Sequence, residues 1–354
     1  MITPIATIAQ MSPYVLADLG GSDMTSLAQN ESAWPPSPNA IAAGQAMLER
    51  AALYPDPDWR DLIREISTLH NIPESMILCG AGSMELIGCL IRAYAGPGHQ
   101  VLGSQFGYAF VATATRATGA EYVTAPERYF TVDVDAMLAA ITSQTRIVFV
   151  CDPGNPTGTT MPTGDLMRLR DKMPSDVLLV VDQAYAEFTD PHFDPAPIFQ
   201  LCKAGNSVVT RTFSKAYGLA GSRVGWGVFP KAIALEMRKI LNPNNISGVS
   251  QEMARAAMAD QPYMQGVVAR TATLRDKFAA EARALGVNVP ESRTNFVLLQ
   301  FADAAQASNL HNALQAQGLM MRPMAGYGLA DCLRATIADA DVMDRAMDVM
   351  RKTL

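Results

Sequence analysis

Short apolar runs alternate with stretches of helical periodicity over residues 76 to 210 of this chain. Such an alternation is typical of α/β proteins, because a crossover helix returns the chain to the next parallel strand. We therefore predict a large domain with a mostly parallel sheet and flanking helices. Strands are predicted at residues 76–79, 100–103, 121–124, 146–151, 177–182 and 207–210. Sheets of this kind bind ligands beyond the carboxyl ends of their strands.

The segments on either side of this alternation differ from it in composition. Residues 1–38 are polar and end in a Pro-rich stretch, which predicts an extended N-terminal arm rather than a packed element. After Pro230, longer periodic helices lead into a smaller α+β unit, with strands predicted at residues 295–301, 319–323 and 332–337. The predicted organisation is an arm (1–38), a large domain (39–240) and a small C-terminal domain (241–354).

Composition excludes several classes of function. The chain has 354 residues and a formal net charge of −6, so it carries no excess of basic residues for binding nucleic acid. The first basic residue is Arg50 and uninterrupted apolar runs stay short, which argues against a secretory signal or a membrane helix. Cysteines and histidines are scattered without metal-ligand spacing. We expect a cytoplasmic protein with reduced cysteines and no metal site.

One lysine lies in an unusually uncharged stretch. A lysine is ordinarily a solvated surface residue, but Lys215 follows a predicted strand and has apolar or uncharged neighbours. A desolvated ammonium loses its proton more readily and becomes a nucleophile, so Lys215 is a candidate for a Schiff base. The hydroxyls of Thr212 and Ser214 and the guanidinium of Arg223 are close in sequence. Groups of these kinds bind phosphate oxygens.

Other polar residues follow the predicted strands, at the edge where ligands bind. Asp182 ends an apolar run, where a buried carboxylate requires a partner, and Tyr185 is near it in sequence. Asn155 precedes a proline that holds it extended, with its amide free to meet a ligand oxygen. The turn at Gly82 and Ser83 opens a helix whose N-terminus can bind phosphate, although a plain tight turn explains it equally well.

An aromatic residue and two late arginines complete the set of candidates. Phe106 follows the strand predicted at 100–103 and could stack on an aromatic ring or simply pack in the core. Arg322 and Arg334 are charged residues within apolar strands, and such arginines usually meet a carboxylate or a phosphate. One alone could form a core ion pair, but two favour an anionic substrate.

The motifs and their order along the chain resemble those of the fold-type I pyridoxal-phosphate aminotransferases. The motifs are Asn155-Pro156-Thr157-Gly158, Asp182-Gln183-Ala184-Tyr185, Thr212-Phe213-Ser214-Lys215, Arg223 and Arg334. The resemblance covers essentially the whole chain. It implies the fold-type I architecture, pyridoxal 5'-phosphate as cofactor, transfer of an amino group between a donor and 2-oxoglutarate, and a homodimer.

The resemblance also implies a role for each candidate residue. Lys215 would form the aldimine with the cofactor and later move a proton, while Asp182 would pair with the pyridine nitrogen. Asn155 and Tyr185 would contact the ring oxygen, Asn155 would also contact the substrate, and Phe106 would stack on the ring. The residues expected at the cofactor phosphate are Gly82, Ser83, Thr212, Ser214 and Arg223, together with Tyr54 of the neighbouring subunit.

Within this family the chain is most similar to the histidinol-phosphate aminotransferase branch. The similarity lies in Asn30-Glu31, in the turn Tyr54-Pro55-Asp56 and in the placement of Arg322 twelve residues before Arg334. In that branch Arg334 would bind a substrate carboxylate, while Arg322 and an N-terminal tyrosine such as Tyr14 would bind a substrate phosphate. An aromatic amino-acid aminotransferase, a threonine-phosphate decarboxylase-like enzyme and, more remotely, a non-catalytic ligand-binding module remain alternatives. The sequence therefore leaves the substrate open.

Overall fold

The computed structural model describes residues 2–11, 24–189 and 194–354. The α-helices are α1 (Ala6–Ala9), α2 (Pro38–Leu48), α3 (Arg60–His70), α4 (Ser83–Tyr94), α5 (Ala109–Ala117), α6 (Val134–Ala139), α7 (Thr163–Lys172), α8 (Ala196–Lys203), α9 (Lys231–Arg238), α10 (Gly248–Ala259), α11 (Gln261–Ala284), α12 (Ala304–Ala316) and α13 (Ala340–Thr353). The β-strands are β1 (Thr25–Leu27), β2 (Ile77–Gly80), β3 (Gln100–Ser104), β4 (Glu121–Ala125), β5 (Glu127–Arg128), β6 (Thr131–Val132), β7 (Thr145–Cys151), β8 (Leu178–Asp182), β9 (Ser207–Thr212), β10 (Gly225–Val228), β11 (Phe296–Gln300), β12 (Leu319–Met324) and β13 (Leu329–Thr336).

The larger sheet has seven described strands in the order β2-β10-β9-β8-β7-β3-β4. Neighbouring strands from β9 to β4 run parallel, whereas β10 is antiparallel to both β9 and β2. Every residue of β8 and β9 is buried, which accounts for their apolar runs, since helices cover both faces of such a sheet. The predicted α/β architecture with a mostly parallel sheet is confirmed.

The sequence analysis did not predict β10, because its sequence Gly225-Trp226-Gly227-Val228 contains alternating glycines, which normally weaken a strand. Close backbone approaches explain these glycines. A Cβ on Gly225 would lie 2.3 Å from Ser83 N, and one on Gly227 would lie 2.5 Å from Val209 O. This packing holds the start of β10 against the N-terminus of α4.

The smaller sheet has the strand order β1-β12-β13-β11. β1 runs parallel to β12, while β13 is antiparallel to both β12 and β11. The N-terminal segment therefore supplies an edge strand to this sheet, which corrects the prediction that it contains no packed element. The physical reason is burial, because Leu27 of β1 belongs to the apolar core of the small sheet.

Two apolar cores correspond to the two sheets. Met264 of α11 lies in the core of the large sheet, and Phe278 of the same helix lies in the core of the small one. α10 packs against α2 and α3 on the large side. The division of the chain at residues 38 and 240 stays a prediction. The packing shows in addition that α11 contributes to the cores of both sheets and that β1 joins the smaller sheet.

Candidate active site

A cavity of about 530 Å³ lies where the carboxyl ends of β8 and β9 face the small sheet. Asp182 ends β8 and Thr212 ends β9, while β12 and β13 supply Arg322 and Arg334 from the opposite side. The segment 29–31 forms a further part of the lining. The predicted site residues that line the cavity are Ser83, Asn155, Asp182, Tyr185, Thr212, Ser214, Lys215, Arg223, Arg322 and Arg334.

Lys215 lies in the loop that follows β9 and reaches the cavity. Its Nζ donates hydrogen bonds to the backbone carbonyl oxygens of Gln29 (3.2 Å) and Asn30 (2.9 Å). Burial, reinforced by the positive charge of Arg334, lowers the pKa of Lys215 to about 7. A substantial fraction of the amine is therefore unprotonated at neutral pH, which is the state that attacks a carbonyl carbon.

Asp182 is the buried carboxylate at the end of β8. It is 3% exposed, and its Oδ1 accepts a hydrogen bond from Thr210 Oγ1 on the neighbouring strand (2.8 Å). Burial raises the pKa of Asp182 to about 6, although Thr210 and Lys215 favour the ionised form. A cationic partner stabilises a buried carboxylate of this kind. A protonated pyridine nitrogen in the cavity would be such a partner.

Several donors converge on a position suited to an anion. Gly82 precedes α4, and Ser83 lies at the positive end of the dipole of that helix. The hydroxyls of Thr212 and Ser214 are 3.0 Å apart, and Arg223 Nη1 donates to Ser214 Oγ (3.3 Å). A Cβ on Gly82 would lie 2.4 Å from Arg223 Nη2, so the guanidinium is placed against a backbone that only glycine allows. This set of donors suits a phosphate group.

Tyr185 and Asn155 lie at the cavity with protein partners already in place. Tyr185 Oη accepts a hydrogen bond from Asn30 Nδ2 (2.8 Å), and the Tyr185 ring centroid lies 5.7 Å from Lys215 Nζ. Burial raises the pKa of Tyr185 above its ordinary value, so its hydroxyl stays protonated and can donate. Asn155 Oδ1 accepts from Arg334 Nη1 (2.5 Å), which directs the amide NH₂ away from that guanidinium.

The two predicted arginines face each other on β12 and β13. Arg334 is buried, and besides Asn155 its guanidinium contacts the Ala28 carbonyl oxygen through Nη2 (2.7 Å). Arg322 is half-buried, and its guanidinium makes no hydrogen bond or salt bridge to any residue in the described ranges. The small sheet thus presents two guanidinium groups to the cavity, of which Arg322 is the less constrained. Such a wall suits an anionic substrate.

Phe106 does not line the cavity, so the structure gives no support to its predicted stacking role. Its backbone N donates to Glu127 Oε1 (3.2 Å), and this bond holds residue 106 toward β5. Its ring packs beside Phe130, with the ring centroids 5.9 Å apart. Tyr108, at the start of α5, lines the cavity instead and becomes the candidate for the stacking ring.

One predicted tyrosine does not line this cavity, and another cannot be placed relative to it. Tyr54 is 88% exposed and is absent from the lining as described. Its exposure is compatible with the expected role toward a second subunit. Tyr14 lies outside the described residues.

The sequence analysis missed part of the N-terminal segment as a component of the site. Gln29 and Asn30 accept hydrogen bonds from Lys215 through their backbone carbonyls, and Glu31 also lines the cavity. A backbone carbonyl has no residue-type signature, so no motif could identify these contacts. In the sequence, Asn30-Glu31 is visible only as a feature of the branch resemblance.

Other kinds of site are not found where the structure describes the chain. In those ranges no cluster of three or more His, Cys, Asp or Glu side chains is arranged to hold a metal ion. None of the helices described there combines the length and the apolar character needed to cross a membrane. The cysteines are buried free thiols, as predicted.

The groups in the cavity fit pyridoxal 5'-phosphate. The amine of Lys215 suits its aldehyde, the carboxylate of Asp182 suits its ring nitrogen, and the donors around Arg223 suit its phosphate. Three observations together support this fit: the lowered pKa of Lys215, the burial of the Asp182 carboxylate, and the anion-binding donors around Arg223, which only a glycine at position 82 allows to approach so closely. These donors are called the anion cradle below.

Comparisons with known proteins agree with this geometry. The family described as "Aminotransferase class I and II" matches residues 22–350. The histidinol-phosphate aminotransferase of Paramagnetospirillum magneticum is 40% identical over 96% of this chain and 94% of its own length, and that of Cereibacter sphaeroides is 42% identical over 88% and 86%. The crystal structure of histidinol-phosphate aminotransferase from Sinorhizobium meliloti in complex with pyridoxal-5'-phosphate is similar with a TM-score of 0.87 and 29% identity, covering 93% of this chain and 92% of that chain.

Proposed function

Because this chain belongs to the class I and II aminotransferase family and is a pyridoxal-phosphate-dependent aminotransferase, we propose that its amino donor is a phosphorylated amine of the histidinol phosphate type. The acceptor in this proposal is 2-oxoglutarate. The observation that carries the proposal is the wall formed by Arg322 and Arg334. Arg334 is held by Asn155 and Ala28, whereas Arg322 lines the cavity without a polar partner among the described residues.

The side of the cavity that the large sheet forms is called the large-sheet wall. Its residues Lys215, Asp182, Tyr185 and Asn155 each have a defined task in this reaction. Bound pyridoxal phosphate supplies an electron sink that makes the substrate Cα–H acidic. The amine of Lys215, whose pKa is lowered to about 7, is suited to accept that proton and to return it elsewhere on the substrate and cofactor. Asp182 holds the ring nitrogen in its protonated state. Tyr185 and Asn155 orient the ring oxygen.

The opposite side of the cavity, the small-sheet wall with Arg322 and Arg334, selects the substrate in this proposal. Arg334, which Asn155 and Ala28 hold in place, binds a carboxylate of glutamate and 2-oxoglutarate in the half-reaction that does not involve the phosphorylated donor. Arg322 binds the phosphate of the donor, with Tyr14 as its expected partner. Charge-assisted hydrogen bonds of this kind contribute about 1.5–3 kcal/mol each, which is enough to separate phosphorylated from unphosphorylated donors.

A panel of amino donors with 2-oxoglutarate as acceptor tests the substrate. We expect kcat/KM for histidinol phosphate to exceed that for phenylalanine and tyrosine by about tenfold to a hundredfold. Equal or better turnover of the aromatic amino acids would identify an aromatic aminotransferase instead. Release of carbon dioxide from a phosphorylated amino acid, without formation of glutamate, would identify a decarboxylase-like enzyme.

We further propose that the protein works as a homodimer in the cytoplasm, with Tyr54 of one subunit contacting the cofactor phosphate of the other. The exposure of Tyr54 supports this arrangement. Mixed dimers of Lys215→Ala and Tyr54→Ala test it, because only a site built from two subunits regains both residues. Activity restored by mixing is expected. No restoration would contradict a role across the interface. Tyr129→Ala, at another exposed tyrosine, replaces Tyr54→Ala as the matched control.

A further inference from the structure

Asn30 is a buried residue that connects the active site to the small sheet. It is 1% exposed, and its φ of 57° lies in the left-handed region, which asparagine tolerates better than most residues. Its Nδ2 donates to Tyr185 Oη (2.8 Å). Its carbonyl oxygen accepts from Lys215 Nζ (2.9 Å) and from Asn295 Nδ2 (3.1 Å). One residue therefore touches both the lysine and the tyrosine of the site.

Thr336 determines which way the Asn30 amide faces. Thr336 Oγ1 accepts a hydrogen bond from Asn30 N (2.9 Å) and therefore directs its own proton to Asn30 Oδ1 (3.3 Å). Because Oδ1 is engaged in this way, the amide nitrogen is the end that faces Tyr185. Toward Asn30, Tyr185 can then only accept.

A phenol oxygen that accepts one hydrogen bond keeps its single proton for a different partner. Since Tyr185 lines the cavity, that proton is available to a bound ligand. We propose that Asn30 is a positioning residue that directs the Tyr185 hydroxyl proton into the cavity, toward the ring oxygen of pyridoxal phosphate. This inference rests on the ring-oxygen contact proposed above for Tyr185.

The orientation of Tyr185 is set from the opposite side of the cavity. Tyr185 follows β8 of the large sheet, whereas Asn30 follows β1 of the small one. Asn295, just before β11, donates a hydrogen bond to the Asn30 carbonyl oxygen. Thr336, at the end of β13, donates one to the side-chain amide oxygen of Asn30. The small sheet thus contributes to the cofactor half of the site as well as to the substrate half.

The visible absorption of the holoenzyme, titrated against pH, measures this effect without an activity assay. A hydrogen bond donated to the ring oxygen stabilises the more negative, deprotonated form of the bound cofactor, so its loss raises the midpoint. Asn30→Gly removes the amide but keeps a residue that adopts positive φ and the carbonyl that accepts from Lys215. We expect an upward shift of about half a unit to one unit, the size of one hydrogen bond.

Three further variants separate the possible outcomes. Tyr185→Phe is expected to shift the midpoint upward at least as far as Asn30→Gly does. Thr336→Val, which loses the hydroxyl, is expected to shift it in the same direction, while Thr336→Ser, which keeps the hydroxyl, is expected to match the wild type.

If Tyr185→Phe shifts the midpoint and Asn30→Gly does not, the positioning role of Asn30 is wrong. If neither variant shifts it, the proposed contact of Tyr185 with the ring oxygen is wrong. A lower thermal stability of Asn30→Gly with an unchanged midpoint would make Asn30 only a brace between the sheets, which also overturns the inference. Cofactor content is measured for every variant, so that only loaded protein is compared.

Discussion

The two walls of the cavity are built in different ways. On the large-sheet wall, Asp182 and Lys215 belong to short motifs that end or follow parallel strands. On the small-sheet wall, Arg322, Arg334 and Asn30 come from or follow three separate strands, which only sheet pairing brings together. In the proposed function the first wall meets the cofactor, which is common to every substrate, and the two arginines of the second meet the substrate. Substitutions on the first wall should therefore affect all donors alike, while substitution of Arg322 on the second should discriminate between them.

The largest effect is expected at Lys215, where Lys215→Ala should lower kcat by about 10³-fold with every amino donor, since proton transfer by a positioned group contributes about 10²–10⁴-fold. The visible band that borohydride bleaches in the wild type should also be absent. Lys203→Ala, at an exposed lysine at the end of α8, is the matched control. Donor-dependent losses in Lys215→Ala would contradict the division between the two walls.

Arg322→Ala should separate donors instead of lowering all rates. For a phosphorylated donor we expect kcat/KM to fall about tenfold to a hundredfold, because a charge-assisted contact is lost, while an unphosphorylated amine should change little. Steady-state kinetics with histidinol phosphate and histidinol measure the difference. Arg345→Ala removes an exposed arginine of α13 as the control. Equal losses for both donors would place Arg322 outside substrate selection.

Gly82→Ala tests the anion cradle of the large-sheet wall. Its φ of 79° and ψ of 162° lie in a region that essentially only glycine adopts, which costs another residue about 1–3 kcal/mol, and the new Cβ would meet Arg223 Nη2. We expect lower stability and faster loss of cofactor on dialysis, with donor preference unchanged. Gly266→Ala, inside α11 with open space around it, should instead be neutral or slightly stabilising. Unchanged cofactor retention in Gly82→Ala would show that the cradle does not bind the phosphate.

The smallest expected effect is a pH dependence of apoprotein stability that arises from Lys215, the residue through which the large-sheet wall contacts Asn30 of the small-sheet wall. Burial and the charge of Arg334 lower the pKa of Lys215 from 10.5 to about 7. Between these values the unfolded chain binds more protons than the folded one, so the stability contribution rises with pH and is lost as pH falls toward 7. Thermal unfolding of the apoprotein at about pH 7 and about pH 9 measures this change, which should be smaller in Lys215→Ala. An identical change in both proteins would contradict the lowered pKa.

Much of the large-sheet wall was predictable from the sequence. Apolar runs located its strands, and polar residues at their carboxyl ends located Asp182, Asn155 and Lys215, because parallel strands bring those ends to one edge. Phe106 does not line the cavity, and its contacts with Glu127 and Phe130 could not be read from the sequence because those residues lie more than twenty positions away. β10 was missed because its glycines are explained only by neighbouring backbone.

The sequence by itself determined the α/β architecture, because that depends on local pattern. Its motifs indicated the cofactor chemistry through their resemblance to a known family, and the uncharged neighbours of Lys215 made it the candidate for the reactive lysine. Only the tertiary structure decided that the N-terminal strand β1 joins the small sheet and that the carbonyl of Asn30 meets Lys215. It also decided that the Arg334 guanidinium is hydrogen-bonded to Asn155, while the Arg322 guanidinium has no polar partner among the described residues. Those contacts join residues far apart in the chain, often through backbone atoms that every residue shares, so their specificity arises from packing.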